Sequence, residues 1–187
     1  IRSMVINADK NGAQSTSNDD MRITYIGKFI RKFKLDELSQ LINVFIGQMS
    51  LVGPRPNVMD EVSLYSKEEL KLLQVRPGIT DFSSIIFSDE GDILSGSINP
   101  DLDYNQLIRP GKGYLGLFYI EKRTFVLDIQ LIFLTILAII SKKQSLKLIS
   151  KIIEKHEGSK YLVELSKREI ALLPTPPPGI SEVVQSR

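Results

Sequence analysis

The chain contains no cysteine and only one histidine, His156, among its 187 residues. Without cysteine there is no disulfide framework and no thiolate metal site, which fits a reducing compartment. A serine–histidine relay or a histidine-built metal centre would rest on His156 alone, in the charged stretch SKIIEKHEGSK, so both are disfavoured. Net charge is also small. The 24 Lys and Arg against 22 Asp and Glu leave +2, and with no recognised motif this gives no argument for nucleic acid as a partner. Long hydrophobic runs are missing too. The most apolar stretch, Ile129–Ile140, has only Gln130 and Thr135 as polar residues. It is too short to span a bilayer, and Asp128 sits at its edge. There is no internal repeat.

What is present reads as a globular chain. With 42% hydrophobic and 25% charged residues, it can form one domain with a core, plus tails. Residues 1–20 open on a short apolar piece and continue as a polar loop. A basic run follows, in which Arg22, Lys28, Arg31, Lys32 and Lys34 precede Asp36 with no acid between Arg22 and Asp36. It is either a solvated face or a surface for phosphates or anionic headgroups. MRITYIGKFIRKF fits a strand or a short helix.

From Leu35 the residues Leu38, Leu41, Ile42 and Phe45 mark one apolar helix face, expected to pack inward, with Gly47 near its end. In MSLVGPRP two prolines bracket Arg55 and limit its backbone. A helix is expected over Ser66–Gln74, with Ser66 and Glu69 forming a capping box. RPGIT reads as a turn. Residues 81–113, rich in Gly, Asp, Asn and Pro, read as a long irregular functional loop. Phe125–Ile140 is either a buried core helix or an interfacial helix, with Lys142 and Lys143 near headgroups. The expected organisation is a catalytic domain over 1–145, a helical extension over 146–172 and a proline-rich disordered tail over 173–187.

The adjacent acids Asp36 and Glu37 raise the main chemical question. At a helix start they could simply cap free N–H groups and complement the dipole. The same surroundings, with Arg31, Lys32 and Lys34 close in sequence, would keep a carboxylate ionised. An ionised carboxylate can attack phosphorus or help bind Mg²⁺ alongside substrate phosphates, and its neighbour can move a proton. Arg55 suits a developing phosphoryl charge. Gln40, four residues after Asp36, would share its helix face.

Taken together and in order, IRSMV, DDMRITYIGKFIRKFKLDELSQLINVFIGQMSLVGPRP and VRPGIT closely resemble the bacterial sugar transferase family, the monotopic phosphoglycosyl transferases. The resemblance covers about residues 1–140. It implies an α/β (α+β), helix-rich catalytic domain with few short strands, long irregular loops and interfacial amphipathic helices. It also implies transfer of a phosphosugar from a UDP-sugar to polyprenyl (undecaprenyl) phosphate with release of UMP, through a covalent aspartyl intermediate, as the initiating step of surface glycan assembly.

By the same likeness Asp36 would be the nucleophile and Mg²⁺ contact, and Glu37 would support the metal or proton transfer. Arg55, Arg31 and Arg2 would bind phosphate, and Gln40, Arg76 and Thr80 are further site-lining candidates. The implied partners are the UDP-sugar, polyprenyl phosphate, the cytoplasmic face of the bacterial inner membrane and, potentially, a second copy of the chain. The family carries a hydrophobic re-entrant helix ahead of the motif in which this chain opens, which is read as an N-terminal truncation. Two departures stand out. Asp81-Phe82-Ser83-Ser84 follows RPGIT where glycine and an aromatic are common, and Ser39 replaces a common proline. With the resemblance, the interfacial reading of Phe125–Ile140 is preferred. The alternative for the whole is a catalytically inactive, membrane-peripheral binding module of the same fold.

Overall fold

The computed structural model describes residues 4–5, 20–32 and 35–186, and for Arg31, Lys32, Asp36 and Glu37 the backbone only. Met4 and Ile23 form an isolated antiparallel bridge. Then follow α1 (Tyr25–Lys32), a 3₁₀ turn (Leu35–Ser39) that runs into α2 (Gln40–Phe45), β1 (Ser50–Val52), α3 (Met59–Val62), a second 3₁₀ turn (Glu69–Gln74) and β2 (Gly78–Thr80). The rest is helical: α4 (Phe82–Ile86), α5 (Glu90–Ile93), α6 (Pro100–Asp103), a π-helical turn (Tyr104–Ile108), α7 (Arg109–Lys122), α8 (Phe125–Ile140), α9 (Lys142–Lys155) and α10 (Lys160–Lys167). This is the expected helix-rich α/β architecture. Its sheet is a single parallel pair, with Ser50 opposite Gly78 and Val52 opposite Thr80.

Local chemistry explains several boundaries. The ambiguous MRITYIGKFIRKF contains both an extended residue, Ile23, and a helix. The Thr24 hydroxyl caps that helix by accepting from the Gly27 N–H at 2.9 Å. α2 stops at Gly47, whose φ of +80° suits a residue without Cβ. The Gly47 N–H donates to Val44 O and the Gln48 N–H to Asn43 O at 2.8 Å, the paired bonds of a Schellman ending. The Ser66–Glu69 capping box is present. The Glu69 N–H donates to the Ser66 hydroxyl at 3.1 Å, and the Ser66 N–H donates to the Glu69 carboxylate at 2.9 Å.

Several expectations are overturned. Residues 81–113 are not an irregular loop but a succession of short helices leading into α7. The Asp81 carboxylate caps α4 by accepting from the Ser84 N–H at 2.7 Å, and the Ser84 hydroxyl accepts from the Asp81 N–H at 3.2 Å. Pro110 cannot donate to the helical ladder, and the π turn lies just before it, where such interruptions are absorbed. Two of the glycines that made this region look loop-like, Gly111 and Gly113, are contact residues. A Cβ on Gly111 would sit 2.6 Å from the Phe87 ring, and one on Gly113 would sit 3.0 Å from Pro178.

The second correction concerns α2, which buries none of its residues. Leu41, Ile42 and Phe45 face outward, Phe45 being 93% exposed. The expected inward face is an outward one.

The core is built by α4, α7, α8, α9 and α10. Phe82 stacks at a tilt against Phe118, with ring centres 5.5 Å apart, and Ile85, Leu115, Leu131, Ile149, Ile153 and Leu162 complete the cluster. The residues beyond 145 therefore share the same core. The proline-rich stretch read as disordered is held in place. The Thr175 N–H donates to Gln106 O at 3.0 Å, Gln106 Nε2 donates to Val184 O at 2.6 Å, and the Ser66 hydroxyl donates to Pro178 O.

α8 is buried on one face and exposed on the other. Leu127, Leu131 and Leu134 are buried, whereas Phe125, Val126, Ile129, Phe133, Ile136 and Ile140 are exposed. No helix among the described residues is long and apolar enough to cross a membrane.

Candidate functional site

The two proline–arginine motifs meet at the strand pair. The Ser50 N–H donates to Pro77 O at 2.8 Å, the Gly53 N–H to Thr80 O at 3.0 Å and the Gly78 N–H to Pro54 O at 3.0 Å. A Cβ on Gly78 would lie 2.1 Å from the Gly53 nitrogen. Glycine is therefore required here because the two backbones touch. This contact ties VGPRP to RPGIT and fixes the loop that carries Arg55. Pro54 is buried and Arg55 half-buried, and Arg55 Nη1 donates back to Ile79 O at 3.3 Å.

Arg55 lines a small polar cavity with Asn57, Tyr65, Tyr104, Arg109 and Lys112. Arg109, absent from the candidates taken from sequence, is heavily bonded there. Its guanidinium makes a two-pronged pair with Glu69 at 3.0 and 2.7 Å and also donates to Asn105 Oδ1 and Leu64 O. Both partners are buried. This satisfied pair fastens the second 3₁₀ turn to α7. Its only sequence signal was the Ser66–Glu69 box, which gave no hint of a distant partner. Lys112 pairs with Glu90 and lies 5.0 Å from the centre of the Tyr104 ring. Burial pushes the Tyr104 and Tyr65 phenols up to about 12, and the nearby acids add to this.

Arg76 is elsewhere. It lines a cleft of about 560 Å³ with Arg123, Asp128 and Tyr119, walled by Val44, Leu51, Phe125 and other apolar residues. The Tyr119 hydroxyl donates to Asp128 Oδ1 at 2.7 Å. Burial, and then this bond to Asp128, raises the phenol, so it stays a donor. The Thr80 hydroxyl lies 2.5 Å from that of Thr135 in α8.

The backbone of Asp36 and Glu37 lies in the 3₁₀ turn that leads directly into α2, with Gln40 as its first residue. The Gln40 side-chain oxygen is buried without a hydrogen-bond partner among the described residues. The side chains of Asp36, Glu37 and Arg31, and all of Arg2, lie outside the described residues. Among the described residues no group of three or more His, Asp or Glu gathers as a metal site. The structure thus brings Arg55 to the strand ends and Arg76 to a separate cleft.

A helix-rich α/β domain whose two glycine-proline-arginine loops lock across a parallel strand pair is what the ordered motifs require. The family described as bacterial sugar transferase matches residues 1–142, and the chain belongs to this family. It is 34% identical over 144 residues to a UDP-N-acetylgalactosamine-undecaprenyl-phosphate N-acetylgalactosaminephosphotransferase of Aeromonas hydrophila, a match covering 75% of this chain and 31% of that protein. It is 35% identical over 150 residues to an undecaprenyl-phosphate galactose phosphotransferase of Salmonella typhimurium, covering 72% and 28%. An exopolysaccharide production protein of Sinorhizobium fredii shares 52% identity over 62 residues, covering 33% of this chain and 27% of that protein. The chain thus spans about a third or less of each of these relatives.

Proposed function

We propose that the protein is a phosphoglycosyl transferase that moves a phosphosugar from a UDP-sugar to polyprenyl phosphate and releases UMP, as the first step of assembling a surface glycan. The observation that carries this is the family match over residues 1–142, with its Asp36-Glu37 pair and Arg55 loop intact. The names of the Aeromonas and Salmonella relatives support undecaprenyl phosphate as acceptor.

In this reading an Asp36 carboxylate oxygen attacks the sugar-bearing phosphorus, and the pyrophosphate P–O bond breaks to expel UMP. A phosphate oxygen of the acceptor then attacks the same phosphorus, and the Asp36 carboxylate leaves. Two steps through one carboxylate imply ping-pong kinetics. Arg55, with Arg31 and Arg2, would offset charge on the phosphates. Glu37 would hold or move a proton. Asp36 and Glu37 form a donor set of the kind Mg²⁺ takes, since it binds one or two carboxylates together with substrate phosphates and water. Bound there, the ion would neutralise phosphate charge. The outward apolar faces of α2 and α8 suit a domain lying at the cytoplasmic surface of the inner membrane.

The test is UMP release in membranes from expressing cells. Asp36→Asn is expected to abolish it without changing the far-UV circular dichroism, and Arg55→Ala to slow it strongly. A near-wild-type rate for Asp36→Asn would remove that residue as nucleophile. Membrane binding with no UMP release by the unaltered protein would favour the inactive-module reading.

A further inference from the structure

The cleft of about 560 Å³ between α2, β1 and α8 is separate from the cavity that Arg55 lines. Its walls are Val44, Leu51, Val75, Ile129 and Ile132. Phe125 and Ile129 of α8 line it and are exposed, and the exposed Phe45 follows the lining residue Val44 on α2. Three charged side chains line it: Arg76, Arg123 and Asp128. Asp128 already accepts from the Tyr119 hydroxyl. Neither Arg76, in RPGIT, nor Arg123, at the α7–α8 junction, is half-buried or deeper; both are exposed. Neither has a hydrogen bond or ion pair among the described residues.

An apolar trough open to an apolar surface, with two uncommitted guanidinium groups at its edge, is complementary to one kind of molecule: a long hydrocarbon chain ending in a phosphate. Arginine forks match phosphate oxygens in a way a lone apolar groove cannot. α2 also leads back, through the adjoining 3₁₀ turn, to the Asp36 backbone about two helical turns away.

We infer that this cleft seats the lipid phosphate acceptor, with Arg123 and Arg76 holding its phosphate and Val44, Ile129 and Ile132 holding the first units of its chain. This rests on the transferase reading for the identity of the lipid, but the binding itself can be tested without turnover. The chain has no tryptophan, and Phe125 is 79% exposed at the cleft, so Phe125→Trp places a single reporter there with little effect on packing. In neutral detergent micelles, the emission of this 187-residue variant is titrated with undecaprenyl phosphate, undecaprenol and inorganic phosphate.

Undecaprenyl phosphate is expected to act at concentrations roughly tenfold or more below either of the others, the size of one charge-assisted contact. Adding Arg123→Gln should remove most of that advantage, and adding Arg76→Gln as well should bring the phosphate down to the level of the alcohol. Lys147→Gln, on the exposed side of α9, should leave the discrimination intact. In the full reaction Arg123→Gln should raise KM for undecaprenyl phosphate roughly tenfold while KM for the UDP-sugar stays unchanged. Equal response to alcohol and phosphate, or discrimination that survives the loss of both arginines, would overturn the assignment even if UMP is released normally. Discrimination that depends on Arg123 in a protein releasing no UMP would sustain the cleft and defeat the transferase reading instead.

Discussion

α2 and α4 look alike in sequence. Each is a short apolar helix beside a strand of the same parallel pair, α2 before β1 and α4 after β2. Yet α4 buries all five of its residues, and α2 buries none. The difference lies in what surrounds them. α4 starts from a capping box at Asp81 and is enclosed by α7, α8 and α9, so Phe82, Ile85 and Ile86 become the centre of the core. α2 has only the strand and its own 3₁₀ turn as frequent neighbours among the described residues. Apolar side chains therefore mean two things here: cohesion on the α4 side, and readiness for another apolar phase on the α2 side.

Substitutions can break or sharpen this contrast. The largest effect is expected where both helices are anchored. Gly78→Ala forces a methyl into the Gly53 backbone, and packed backbone has no room to yield. Soluble, cooperatively folding protein should be lost, as read by thermal melting; a normal melt would show that the two loops are not clamped. On the α4 side, Phe82→Ala empties a fully buried position and is expected to cost about 3–5 kcal/mol in denaturant unfolding. On the α2 side, Phe45→Ser removes a ring that touches little, so stability should change by less than about 0.5 kcal/mol. Binding to anionic vesicles should nonetheless fall several-fold. An equal stability loss at both sites would erase the distinction drawn between them.

The smallest effect is one of pH. Tyr65 and Tyr104 titrate near 12 in the folded protein because burial disfavours the phenolate, whereas in the unfolded chain they titrate at about 10. Their folded values are raised, so their contribution is fully present below pH 10 and is lost as pH rises towards 12, where the unfolded chain has released more protons. Urea midpoints should therefore fall across that window, and fall less in Tyr65→Phe.

Much of the local structure around the candidate site could be read in advance because its signals are local. The paired acids, the prolines around Arg55, the Ser66–Glu69 box and the Gly47 stop each depend on residues a few positions apart. The 81–113 region failed for the opposite reason. Gly111 and Gly113 signal looseness to any local reading, but in the structure they are the places where Phe87 and Pro178 come close. The Asp81–Ser84 cap was a local signal that lay in plain view within the departure from the family pattern.

The sequence by itself determined the family, the ordered motifs and the helix-rich class, because short-range capping, turn chemistry and residue order are properties of the chain. Only the tertiary structure decided which apolar faces are buried. It also placed Glu69 with Arg109 across forty residues and put Arg55 and Arg76 in different cavities. Burial and long-range ion pairing depend on what the rest of the chain places opposite each side chain, and periodicity carries no information about that.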